Sequence, residues 1–389
     1  MLRFILLLAL LTAFPALSTD MYLPAIPFLE KIWNRPLAVI NLSLILFFVV
    51  YCFCLLIYGP LSDRFGRKPP LIFGISAFIA GSLFCAASVN IEMLIFARII
   101  QAAGAASAPS IAMAMAKDRL RPDQREKVLG YIAVIMAVAP MIAPMLGSLV
   151  IVKFSWRVIF LSQAFMGFIA LVGVLSTKES NTEPVAVVIK KLVLNYASLF
   201  KNLHFMLIVI ATSLIGIPFF GFIAASSSIY ITDFNLSEKG FALFYGANAL
   251  CFMIGAIICA RLGRKIGSSR MISFGFGGIG LGGIIMALGF LKGPLSLALP
   301  MGIITFCLGL SRPPSNNLAL EQVEKNAGSA SSMLVFIYFI FGAFGMAAAS
   351  LDWHNKVTVI GAAASFSGIA ASLLWFYAKS RVNIPFKKV

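Results

Sequence analysis

The strongest constraint in this 389-residue chain is a succession of twelve apolar runs separated by short polar stretches. They lie near 4–27, 38–60, 70–89, 92–116, 128–151, 157–177, 204–231, 240–260, 271–291, 294–311, 328–350 and 357–378. A helix of about 20 residues, rising 1.5 Å per residue, crosses the ~30 Å hydrocarbon core of a bilayer. Only helices or closed barrels satisfy their backbone polar groups in lipid. Barrel strands would be runs of ~10 residues with alternating polarity, and no such alternation occurs. The composition is 60% hydrophobic and 12% charged, with a mean hydropathy of +0.97; a soluble domain is nearer roughly one half and one quarter. The expected fold class is all-α integral membrane, with twelve transmembrane helices.

The net charge of +17 invites a nucleic-acid reading, so the position of the charge matters. With the N-terminus placed in the cytoplasm and loops assigned alternately, 23 of the 31 basic residues fall on the inner side and seven on the outer, with Arg98 inside a span. That asymmetry is the positive-inside pattern. Basicity therefore reports topology, with both termini cytoplasmic, and no nucleic-acid partner is implied. The six cysteines all fall in apolar runs without metal-binding spacing, and His204 and His354 lack partners. No metal or cofactor is expected.

Between the sixth and seventh runs lies the longest polar interruption, "KESNTEPVAVVIKKLVLNYASLFKN". Within it Val188, Leu192, Tyr196 and Leu199 share a helical face, which predicts an amphipathic helix on the inner membrane surface. The chain thus divides into residues 1–178, a cytoplasmic linker 179–203, and residues 204–389. A shift of 197 lays "DRFGRK" (63–68) over "ARLGRK" (260–265), with Asp63 facing Ala260. Two six-span pseudo-symmetric repeats are the plan of a secondary transporter with its site near the midplane.

Two charges stand out in depth. Asp20, in "FPALSTDMYLPAIP", is about seven residues, ~10 Å, inside the outer end of the first span. Arg98, in "ARIIQAAGAA", is about six residues, ~9 Å, inside that end of the fourth. Buried ionisable groups in lipid are costly and mark function, so the two are expected to form a proton-coupling pair, with a structural salt bridge as the plainer alternative. Gln101 lies one turn from Arg98 on the same side. The first eighteen residues could pass for a secretion signal. The apolar run nevertheless continues to Pro27, and cleavage would strand Arg98, so Asp20 is expected to be retained.

"GPLSDRFGRKP" (59–69) follows the second span, and its Gly59, Leu61, Asp63, Arg64, Gly66, Arg67 and Lys68 resemble the G-x-L-x-D-R-x-G-R-K signature of the major facilitator superfamily. Asp63 can pair with an arginine and a helix N-terminus across the seam between halves; the resemblance implies a cytoplasmic latch. "APMIAPMLGSLV" (139–150) resembles the antiporter motif G-P-x-x-G-G, with alanine and serine replacing two glycines. Pro140 and Pro144 withhold backbone donors and bend the fifth helix, and small residues such as Gly147 let it pack closely. Together with "STDMYLPAIP", "AKDRLRPDQREK", "WRVIF" and "AGSASSMLVFIYFIFGA", these segments make nearly the whole chain resemble Bcr/CflA-type drug:proton antiporters.

That resemblance implies export of small, largely apolar drugs of the bicyclomycin and chloramphenicol class across a bacterial inner membrane. The partners would be the substrate, protons and the bilayer, for a monomer driven by the proton gradient without a cofactor. Candidate pocket residues, besides Gln101, are Asn41, Gln163, Phe219, Phe220, Tyr245, Asn248 and Tyr338. An exporter of a specific metabolite such as a siderophore or sugar would share every motif. A proton symporter fits the fifth-span motif less well, and a non-transporting receptor would not need Asp20 and Arg98 at one depth. No sequence feature supports an enzyme.

Overall fold

The structure, a computed structural model, describes residues 2–181, 189–323 and 327–381. Lys325, Val188 and the C-terminal Lys387 and Lys388 lie outside the described residues. Among the described residues there is no strand, and twelve helical stretches are long and apolar enough to cross a membrane.

The contacts divide the chain into two compact units, Met1–Ile189 with Ser237–Gly246, and Lys190–Leu236 with Ala247–Val389. The first contains α1 (Leu2–Asp20), α2 (Ile26–Trp33), α3 (Leu37–Phe65), α4 (Lys68–Ala87), α5 (Ile91–Ala105), α6 (Ser107–Arg119), α7 (Pro122–Lys153) and α8 (Trp156–Leu175). The second contains α9 (Ile189–Lys201), α10 (Leu203–Leu214), α11 (Gly216–Ser227), most of α12 (Glu238–Ile266), α13 (Ser268–Ala287), α14 (Leu295–Glu321), α15 (Ala327–Ser350) and α16 (Lys356–Arg381). The first turns of α12, Tyr245 included, cluster with the first unit, so the eighth span is shared.

The first span is not one rod. Pro24 has no N–H for the Asp20 carbonyl four residues back, and its ring crowds that carbonyl. α1 accordingly ends at Asp20, and a 3₁₀ turn over Leu23–Ala25 leads into α2. Tyr22 donates to the Thr19 carbonyl at 3.1 Å and Ala25 to that of Tyr22 at 2.9 Å. The span therefore runs to Trp33 and not to Pro27. The tenth runs to Glu321, which puts Arg312 within helix α14 and not in a loop.

The internal repeat holds in a different register from the one the sequence suggested. α3 and α12 are both 29 residues, and each ends at a glycine with φ of +88°, Gly66 and Gly267. Only glycine takes that conformation at low cost. The matching shift is 201, not 197, and the four-residue match lay one helical turn out. Asp63 corresponds to Arg264, so the second half carries a base where the first carries the acid. Packing repeats as well: Gly74 meets Ser107 and Gly275 meets Ser311, while Gly147 meets the Met21 carbonyl and Gly345 that of Ile217.

The linker carries a helix, α9 (Ile189–Lys201). Leu199 is buried and half-buried Tyr196 hydrogen-bonds Ser332 of α15, so this face covers the second unit. Burial raises the Tyr196 phenol above its ordinary range. Leu194 and Phe200 are exposed.

Candidate functional site

The break after Asp20 frees carbonyls at the end of α1 that no helical N–H can reach. Two fully buried side chains, Arg98 and Gln163, answer them, and buried Gln101 joins the two. Arg98 of α5 donates through Nη1 to the Ser18 carbonyl at 2.9 Å and to Gln101 Oε1 at 2.6 Å. Gln101 donates in turn to Ser82 Oγ at 2.8 Å and Gln163 Oε1 at 2.7 Å, and Gln163 of α8 donates to the Leu17 carbonyl at 3.1 Å. The guanidinium carbon lies 4.2 Å from the ring centre of Phe47 and 5.1 Å from that of Tyr22, a cation–π setting that lowers the cost of burial. A cation at a helix C-terminus also complements the helix dipole. Arg98 is thus a cap for the broken first helix.

Asp20 is buried at the same break but is not bound to Arg98. Thr19 Oγ1 donates to its Oδ1 at 3.1 Å, and the phenol of Tyr245 hydrogen-bonds it. The ion pairs among the described residues are Arg35–Glu92, Arg67–Asp63 and Arg67–Asp118. The expected proximity of acid and base holds, since Arg98 reaches the carbonyl two residues before Asp20. The structural salt bridge weighed as the plainer alternative does not form among the described residues, because the open helix end takes the guanidinium. Tyr245, expected to line a pocket, hydrogen-bonds the carboxyl. Asn41 is buried in α3 of the same unit.

α7 closes on this break. It runs unbroken from Pro122 to Lys153 through both Pro140 and Pro144. Gly147 lies against the Met21 backbone, where a Cβ would have no room. Beside it Ser148 Oγ donates to the Glu238 carbonyl at the start of α12, at 2.9 Å.

The Gly59–Lys68 segment forms a second cluster. Arg67 donates to Asp63 at 2.5 Å, to Asp118 of α6 at 2.8 Å and to Ser62 at 2.8 Å. Burial lowers the Arg67 pKa, but the two carboxylates outweigh it and leave the guanidinium above its ordinary value. Asp63 therefore pairs within its own turn, and the helix N-terminus goes to another acid. Glu179 accepts from the backbone N–H groups of Arg67 at 2.8 Å and Lys68 at 2.9 Å at the start of α4. Burial raises the Glu179 carboxyl, but backbone donors from Asn181, Lys68, Arg67 and Ser180 hold it below the usual glutamate range. Lys68 Nζ donates to the Leu175 carbonyl at 3.3 Å, and Arg64 is exposed beside Phe65. Gly59 is half-buried, with only Ser110 near its Cα face.

In the second unit, Asn248 of α12 accepts from Thr305 of α14 at 2.8 Å. Phe219, Phe220 and Tyr338 do come together, with ring centres 5.4 Å apart in both successive pairs, and Phe339 joins them.

The model of the Major Facilitator Superfamily matches residues 8–346. The chain belongs to that superfamily. It is a multi-pass membrane transporter, and its solved likenesses agree on the fold. The nucleoside transporter NupG superposes with a TM-score of 0.78 at 13% identity, over 97% of this chain and 99% of that one. Among relatives by sequence, the MFS-type transporter YdgK of Bacillus subtilis is 29% identical over 97% of this chain and 96% of its own. A chloramphenicol resistance protein of Pseudomonas aeruginosa is 27% identical over 87% and 80%. A bicyclomycin resistance protein homolog of Haemophilus influenzae is 27% identical over 92% and 91%. Sequence reasoning about this transporter missed Asp118 and Glu179. Each is a lone acid among basic and small polar residues at the end of a span, a pattern that marks a cap or counter-ion near basic loops.

Proposed function

We propose that this transporter exports small, largely apolar drugs, of the chloramphenicol and bicyclomycin class named in its relatives, in exchange for protons by alternating access. It would work as a monomer in the bacterial inner membrane with both termini cytoplasmic. The observation that carries the reading is the setting of Asp20, a buried acid at a helix break held by hydroxyls. Hydroxyls both donate and accept, so they can satisfy a carboxyl with or without its proton. Ionised, Asp20 accepts from Thr19 and Tyr245; protonated, it has a donor of its own and one acceptor fewer. Its hold on Tyr245 then changes with the proton, and Tyr245 opens the helix α12 that continues into the second unit. A proton entering from outside neutralises Asp20 and favours release of substrate, and substrate binding from inside favours its departure. One charge moving with the gradient supplies ~2.3 kcal/mol per 100 mV.

The test is efflux in everted vesicles with a panel of antibiotics and dyes that includes chloramphenicol. Wild type should accumulate substrate only under a proton gradient, and Asp20→Asn should abolish this while purifying as folded protein. Proton-coupled efflux surviving in Asp20→Asn would end the reading. Transport of one metabolite and of no drug would leave the mechanism but change the substrate.

A further inference from the structure

Arg312 has no assigned part in the cycle above. It lies half-buried in α14 with its guanidinium carbon 3.9 Å from the ring centre of Tyr338 in α15. Among the described residues no carboxylate lies within 4.0 Å of it. The Tyr338 ring is buried, and its hydroxyl has no hydrogen-bond partner. One turn along α14, the buried Oδ1 of Asn316 is also without one. A cation, a hydroxyl donor and an amide acceptor are thus left open on two neighbouring helices. Buried polar groups are otherwise almost always paired.

α14 runs without a break past this cluster, through Pro313 and Pro314. Pro313 and Pro314 withhold the N–H groups that the Gly309 and Leu310 carbonyls would take in a regular helix. Beside the cluster stands the aromatic wall of Phe220 and Phe339, with ring centres 5.4 and 6.1 Å from that of Tyr338.

We propose that Arg312, Tyr338 and Asn316 form an oxyanion-binding site in the second unit, suited to an aromatic carboxylate. A guanidinium stacked on one ring keeps its edge N–H groups free, and these match a carboxylate or phosphate in two parallel bonds. The Tyr338 hydroxyl supplies a further donor, and Asn316 Oδ1 takes a hydroxyl or amine of the same ligand. The aromatic wall receives the ligand's ring. The inference deepens the export reading by naming a substrate class, and it rests on that reading for the direction of transport. The same chemistry could come from the phosphate of an anionic lipid, and the experiment separates the two sources.

The full chain is reconstituted in phosphatidylcholine nanodiscs, and binding of 1-naphthoate and of neutral 1-naphthamide is measured by calorimetry without any gradient. Naphthoate should bind at least about tenfold more tightly, as a charge-assisted hydrogen bond requires. Arg312→Gln should remove that preference while leaving naphthamide unchanged, and Tyr338→Phe should weaken naphthoate several-fold. Should Arg312→Gln fail to purify, Arg312→Lys and Tyr338→Phe decide: the preference shrinks in both or the proposal fails. In nanodiscs containing phosphatidylglycerol, a lipid-occupied site would show weaker naphthoate binding in wild type, with the lipid retained in native mass spectra and lost in Arg312→Gln. Equal binding of acid and amide with no retained anionic lipid, or a preference that survives Arg312→Gln, overturns the proposal. Asp20→Asn should leave this binding intact, so proton-coupled efflux that survived in that variant, with binding preserved, would refute the export reading alone.

Discussion

Replacing Gly147 by alanine tests the contact on which the Asp20 site is built. The new Cβ would lie 2.9 Å from the Met21 carbonyl carbon and 3.0 Å from its Cα, and nearer still to the carbonyl oxygen. Carbon atoms pack at ~3.5–4.0 Å, so helix or turn must give by roughly 0.5–1 Å. No side-chain rotation relieves this, because the obstacle is backbone at a turn already held by Arg98 and Gln163. Overpacking of this kind costs ~1–3 kcal/mol. Alanine in a helix regains about 1 kcal/mol over glycine, so the net loss alone could be small. Gly130→Ala supplies the reference, since it lies on the same helix with nothing within 4 Å. That variant should keep the gain of ~0.5–1 kcal/mol without the clash. The two alanine variants should therefore differ by ~1–3 kcal/mol, with Gly147→Ala the less stable. Thermal unfolding of the purified chain, followed by circular dichroism, measures the difference, and vesicle efflux should fall in Gly147→Ala alone. A midpoint for Gly147→Ala equal to or above that of Gly130→Ala would refute the close approach of α7 to the helix break.

Arg98→Lys keeps the charge but loses the planar fork, so one ammonium must replace bonds to both Ser18 and Gln101. Stability should fall by ~1–3 kcal/mol, read in the same unfolding assay. Glu179→Gln tests the cap on α4 through its pH dependence. Its folded pKa lies below the unfolded value, so its contribution is complete above about pH 4.3 and is lost as pH falls through the folded pKa. The wild type should therefore melt above Glu179→Gln by a constant margin between about pH 5 and 7. That margin should shrink in more acid solution; one that grew there would contradict the assignment.

The twelve spans and the 59–68 motif were legible because lipid enforces length, apolarity and helicity at once. Register was less so. "DRFGRK" over "ARLGRK" is the better letter match, but the turn itself is set by the glycines at φ +88°, Gly66 and Gly267. A loop motif can drift by a turn while the helix ends keep their place. Depth along a span was legible and partner choice was not. Arg98 and Asp20 are neighbours, yet the break at Pro24 presents carbonyls that hydropathy cannot reveal. Glu179 escaped for a similar reason, since its partners are main-chain N–H groups that have no letter in a sequence.

The capping role of Arg98 changes what a buried acid nearby can do. In lipid a broken helix must have its carbonyls satisfied from within the protein, and a guanidinium, which only donates, suits that task in every state of the site. Committed to Ser18 and Gln101, it is not spent on Asp20. Had the two formed a salt bridge, removing the carboxylate's charge would have left a buried cation without its partner, a strongly destabilising change. With Thr19 and Tyr245 as partners, each able to donate or accept, Asp20 can change its proton without opening that debt. On the proposed exchange mechanism, the separation of the two charges would let one hold the break rigid while the other changes its proton beside it, and the Arg98 network would be required for coupling without lying in the path of the proton.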